Sequence, residues 1–192
     1  MVILDVADSA VRALVGSPDY HDIRHAGQVN GAIAMRSPGS ALKPFVYALA
    51  FDRGILTPDT IVADVPMHFR EYEPQNFDLR FTGLVRVHDA LVQSLNIPAL
   101  KTVQDLGLDA VAGRLQQLGL KPARPPAHYG LPLVLGASEV SLLDLSNAYA
   151  CLARGGRYLP VRLLERDTEA HPPGPPHAST TPPAEQTPRG MS

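Results

Sequence analysis

The chain has 192 residues, of which 45% are hydrophobic and 19% charged, enough for one domain with a real core. A net charge of −2 leaves no basic field for nucleic acid and no polybasic face for anionic lipid. No apolar run approaches the roughly 18 residues of a membrane span, Asp5 and Asp8 interrupt the apolar start in a way a secretory leader does not, and the one cysteine, Cys151, excludes an internal disulfide framework and reads as a buried thiol.

The first two runs, Val2-Ile3-Leu4 and Val11-Arg12-Ala13-Leu14-Val15, flank a polar Asp8-Ser9 turn and predict a hairpin. Residues 16–39 are loop-rich, punctuated by Pro18, Gly27, Gly31, Pro38 and Gly39. A helix is expected from about Ser40, with Phe45 and Leu49 at helical spacing and Gly54 as its stop. Residues 57–83, with Pro58, Pro66 and Pro74, read as irregular. Three helices follow at 87–93, 98–106 and 109–118; Pro98 suits a first turn, and Gly107 and Gly119 suit helix ends. After a loop at 121–132, Ser138 is expected to cap a helix running through Ala153, with Val140, Leu143, Asn147 and Cys151 along one stripe. A strand broken by Pro160 is expected at 158–164. Strands, then helices, then a strand predict an α+β domain over 1–166. Seven of the 19 prolines fall after Asp167, and 167–192 reads as a disordered tail.

The sharpest chemical signal is Ser40-Ala41-Leu42-Lys43. At a helix start, residues three apart share a face. A serine hydroxyl is a weak nucleophile until a base takes its proton, and a lysine amine is a base once burial favours its neutral form. The helix N-terminus adds free N–H groups and a favourable dipole. From the residues alone, Ser40 as an ordinary N-cap and Lys43 as a surface lysine stays open. Ser94-Leu95-Asn96 is the second signal: in a break between helices it offers a hydroxyl to relay a proton and an amide to hold a substrate carbonyl. On these residues alone a plain C-cap and turn pair is the simpler reading.

The two motifs and their flanks, HAGQVNGAIAMRSPGSALKPFVYALAFDRGILTPDT, YEPQNFDLRFTGLVRVHDALVQSLNIPAL and YGLPLVLGASEVSLLDLSNAYACLARGGRYLP, resemble the transpeptidase domain of class A, bifunctional penicillin-binding proteins, most of all the 1C type. The likeness covers about 1–164. It implies the penicillin-binding/serine β-lactamase-like fold, here as a truncated piece with a helical lobe and an N-terminal hairpin. It implies that Ser40 is the acylated serine, Lys43 its base, and Ser94 and Asn96 the pair that shuttles a proton and orients the donor peptide. It also implies peptidoglycan stem peptides and β-lactams as partners, a site at the outer face of the cytoplasmic membrane, and a fused glycosyltransferase domain and membrane anchor elsewhere in such proteins. No metal or cofactor is implied.

The third motif of such enzymes, K-T-G or K-S-G on a strand, is absent; Lys101-Thr102-Val103 lacks the glycine and falls in an expected helix. That strand carries an oxyanion donor, whose loss commonly costs about 10²–10³ in rate, so a crippled or incomplete enzyme is expected. Two other readings stand beside the transpeptidase: an inactive remnant or non-catalytic binding module, and a β-lactamase or DD-carboxypeptidase-like hydrolase. Among weaker candidates, His21, Asp22 and His25 lie close together but read as solvated loop residues rather than metal ligands. Glu71 and Glu73 read as surface acids, while Tyr72, Asn76 and Phe77 are candidates either for a groove or for packing.

Overall fold

The computed structural model describes residues 1–68 and 73–163. The expected tail at 167–192, and Glu71 and Tyr72, lie outside the described residues.

Strands β1 (Val2–Leu4) and β2 (Val11–Leu14) pair antiparallel, with Val2 opposite Leu14, as the two β-rich runs predict. The buried Ser9 hydroxyl in the turn donates to Asn147 Oδ1 at 2.7 Å, which ties the hairpin to the last helix. Helix α1 (Lys43–Asp52) occupies the centre. Its sequence carries no charged side chain between Lys43 and Asp52, and Lys43, Phe45, Val46, Tyr47, Leu49 and Ala50 are all buried, so it is enclosed on nearly every side. Helices α3 (Asn96–Leu106) and α4 (Leu108–Gln117), the 3-10 segment Leu131–Leu135 and α6 (Leu142–Ala153) pack around it. Leu42, Phe45, Val46, Leu100, Val103, Leu115, Leu133, Val134 and Ala148 form one continuous apolar core with the wholly buried Cys151. The Cys151 thiol is pushed up by that burial.

Several expectations are corrected. Residues 57–83 are not wholly irregular: β3 (Ile61–Asp64) pairs antiparallel with β4 (Gly83–Arg86), Val62 opposite Val85. The prolines bracket β3 rather than interrupt it. Helix α2 (Val87–Val92) follows β4 directly, and α3 starts at Asn96, two residues before Pro98, which occupies its first turn. A one-turn helix α5 (Pro126–Tyr129) lies within the expected loop. The cap of α6 is Ser141, whose hydroxyl accepts from Asp144 N at 3.0 Å, and not Ser138, whose buried Oγ has no hydrogen-bond partner among the described residues. The strand expected at 158–164 shrinks, among the described residues, to one bridge in which Arg162 pairs with Ala10.

Candidate active site

The four residues singled out in sequence reach the site from three places. Ser40 lies in a 3-10 turn, Gly39–Leu42, that leads straight into α1; its carbonyl accepts from Lys43 N. Gly39 takes φ +55°, so a left-handed residue sets the sharp entry. The Ser40 side chain is exposed and, among the described residues, has no hydrogen-bond partner. Its segment is fixed from behind through the backbone. Ser37 Oγ donates to Gly136 O at 2.8 Å, Tyr149 of α6 donates from its hydroxyl to Ala41 O at 2.9 Å, and Arg36 exchanges two backbone hydrogen bonds with Val140.

Lys43 is not a surface lysine. It is 1% exposed, because α1 is enclosed on nearly every side. The amine must therefore find its acceptors inside. Three are present: Nζ donates to Ser94 O at 2.5 Å, to Ser94 Oγ at 3.1 Å and to Asn96 Oδ1 at 2.7 Å. These match the three donors of a charged ammonium. Burial works against that charge and lowers the amine to about 8. At neutral pH about a tenth of it is then neutral.

The 94–96 loop closes α2. Leu95 N donates to Ala90 O and Ser94 N to Leu91 O, the crossed pair of a Schellman ending. The residue that such an ending places in the left-handed region is usually glycine; here it is Ser94, at φ +57°. A serine held there costs about 1–3 kcal/mol of local strain. Its carbonyl and hydroxyl both turn to the Lys43 amine. Asn96 opens α3; its Nδ2 donates to Gln75 O at 2.7 Å and its backbone N–H to Asn76 Oδ1 at 2.7 Å. Asn76 is thus a buried strut and not a groove residue, whereas Phe77 projects fully into solvent.

Sequence reasoning missed two neighbours. Asp64, wholly buried at the end of β3, accepts from Asn76 Nδ2 through both carboxylate oxygens at 2.9 Å and from Thr82 N at 2.7 Å. Tyr47, one turn along α1 from Lys43, keeps a buried hydroxyl with no partner among the described residues, and burial with the Asp64 charge pushes its phenol up. Neither belongs to a short motif; the only signal was an acid closing an apolar run. Lys101 is placed elsewhere, donating from α3 to Ala63 O at 2.9 Å. His25 Nδ1 meets Asp22 at 2.7 Å on the exposed loop, and no metal-holding cluster of His, Cys, Asp or Glu forms among the described residues.

The structure thus joins Lys43, Ser94 and Asn96 by direct hydrogen bonds, while Ser40, three residues before Lys43, makes none to them among the described residues. The family model for the penicillin binding protein transpeptidase domain matches residues 1–189, and the chain belongs to that family. Among curated relatives it is similar to penicillin-binding protein 1C of Escherichia coli strain K12, 40% identical over 168 residues, covering 87% of this chain and 22% of that protein. Penicillin-binding protein 1A of Neisseria flavescens is 33% identical over 175 residues, 86% of this chain and 21% of the relative. The chain thus spans about a fifth of the length of these relatives. Of solved structures, penicillin-binding protein 1A from Haemophilus influenzae superposes with a TM-score of 0.66 at 31% identity, over 78% of this chain and 22% of the other. The PonA1 protein from Mycobacterium tuberculosis in complex with penicillin V gives 0.71 at 25%, over 83% and 44%. The α+β fold expected from sequence is therefore that of the transpeptidases.

Proposed function

We propose that this chain carries the acyl-transfer chemistry of a DD-transpeptidase, with Ser40 as nucleophile, Lys43 as base, and Ser94 and Asn96 as the pair that serves both. The observation that carries this reading is the Lys43 amine: buried, lowered to about 8, and hydrogen-bonded to Ser94 and Asn96 while only three residues from Ser40. Penicillin V bound to the PonA1 relative supports the ligand class.

The neutral amine takes the proton of Ser40 Oγ as Oγ bonds to the carbonyl carbon of the D-Ala-D-Ala bond in a stem peptide. The carbon–nitrogen bond then breaks. The leaving D-alanine amine receives the proton from Lys43 by way of the Ser94 hydroxyl, which already touches Nζ. A neighbouring stem-peptide amine attacks the ester, gives its proton to Lys43, and Ser40 regains its own. A β-lactam undergoes the first attack alone, its ring nitrogen staying tethered after the ring opens. Substrates of this kind place the reaction at the outer face of the cytoplasmic membrane. No helix among the described residues is long and apolar enough to cross a membrane.

A second reading is a chain that folds without turning over. It is favoured by the Ser40 hydroxyl, which makes no hydrogen bond to Lys43 among the described residues. Intact-mass analysis after incubation with penicillin V separates the two. One adduct that maps to Ser40 and vanishes in Ser40→Ala is expected. A chain that is folded by circular dichroism yet takes up no penicillin V overturns acyl transfer and leaves the non-catalytic reading. An adduct shed within seconds points instead to a hydrolase of the β-lactamase or DD-carboxypeptidase kind.

A further inference from the structure

Asn96 is not free to turn its amide. Behind it stands a relay of polar groups from two other elements. Asp64, at the end of β3, is wholly buried, and Asn76 is 3% exposed. An ionised carboxylate is acceptor-only, so it draws the Nδ2 of Asn76 toward itself, and both its oxygens lie 2.9 Å from that nitrogen. The second Nδ2 hydrogen goes to Arg80 O at 2.8 Å. Asn76 Oδ1 must then face the other way, where it accepts the Asn96 backbone N–H at 2.7 Å. That N–H is donor-only, so both neighbours demand the same orientation of the Asn76 amide. The Gln75 carbonyl, one residue earlier, accepts Asn96 Nδ2 at 2.7 Å and so turns Oδ1 of Asn96 to the Lys43 amine. The order of donors and acceptors is therefore set from the buried carboxylate to the Asn96 backbone, and the amide beyond it is set by the carbonyl next to Asn76.

We propose that Asp64 and Asn76 are positioning residues for the acyl-transfer site: they anchor the Asn96 backbone and the 75–76 segment whose Gln75 carbonyl orients the Asn96 amide, and through that amide they fix a hydrogen bond of Lys43. The inference rests on the reading of Lys43 as the base. In Asp64→Asn one carboxylate oxygen becomes a donor facing Asn76 Nδ2, so Asn76 must tilt away or flip, and a flip sets a donor against Asn96 N–H. In Asn76→Asp two carboxylates meet. Exchanging the pair, Asp64→Asn with Asn76→Asp, restores a donor at one end and an acceptor at the other, but turns a carboxylate oxygen toward Arg80 O and toward the remaining oxygen at position 64.

The test follows Lys43 directly. The chain has three lysines, so selective ¹³C-lysine labelling gives three Cε resonances, assigned with Lys101→Arg and Lys121→Arg. Each single variant is expected to move the Lys43 titration midpoint by at least half a pH unit and to slow penicillin V acylation at least tenfold. The exchanged pair is expected to bring the midpoint back toward wild type and to acylate at least threefold faster than the slower single variant. Unchanged midpoints in the folded single variants overturn the proposal, as does an exchanged pair that stays shifted or does not fold. Where a single variant does not fold, the exchanged pair decides alone. A wild-type chain that takes up no penicillin V sinks the catalytic reading, while the titration still judges the relay.

Discussion

The two halves of the site are held in opposite ways. The Lys43 amine and the 94–96 loop are tied by side chains as well as by the loop's own backbone, back to a wholly buried carboxylate. The Ser40 segment is tied at its main chain by Tyr149 and the Arg36–Val140 pair and by the Ser37 hydroxyl, and the Ser40 hydroxyl has no partner among the described residues. The difference teaches where each group's freedom lies. A proposed base must be buried to keep a lowered proton affinity and held by fixed partners to stay in place, whereas a nucleophile must be open to the substrate.

The largest effect comes from removing the amine itself. Lys43→Met keeps the length of the side chain but deletes the base, and the rate of penicillin V acylation is expected to fall about 10³-fold, read by intact mass over time. The backbone side of the comparison is broken next by Gly136→Ala. A Cβ at Gly136 would lie 2.5 Å from Ser37 Oγ and 2.6 Å from Gly39 N, and the residue sits at φ +101°. The Ser40 turn must shift, and about 10²-fold of acylation is expected to be lost while Lys43 keeps its titration midpoint. A third outcome sharpens the comparison through pH. The neutral amine is the active form, so acylation is expected to rise with pH and level off above about 8, with the rate at pH 7 about a tenth of the plateau. The smallest effect concerns strain. Ser94→Gly releases a left-handed serine and is expected to raise stability to denaturant by about 1 kcal/mol, even as it deletes the hydroxyl that the amine touches.

The sequence made one part of this molecule legible and hid another. The hairpin, α1 and the helices after residue 87 could be read because their signals are local: β-rich runs about a turn, apolar spacing, glycines at the ends. Ser40, Lys43, Ser94 and Asn96 could be read because each pair lies within one turn of chain, and the structure brings Lys43, Ser94 and Asn96 into direct contact. What stayed hidden is non-local. Strand β3 has four residues between Pro58 and Pro66, and its partner begins at Gly83. Asp64 reaches Lys43 only by way of Asn76 and Asn96, and no spacing along the chain encodes that path. Ser138 and Ser141 both suit a cap. Only the packing, which buries the Ser138 hydroxyl, decides between them.

Cys151 has one more consequence. Its sulfur is wholly enclosed on α6, the helix whose Tyr149 holds the carbonyl of Ala41 beside the serine. A thiol reagent can meet that sulfur only when the helix lifts from the core. The speed at which the native chain is alkylated is therefore a clock for how often the wall behind the nucleophile comes away, legible without any substrate at all.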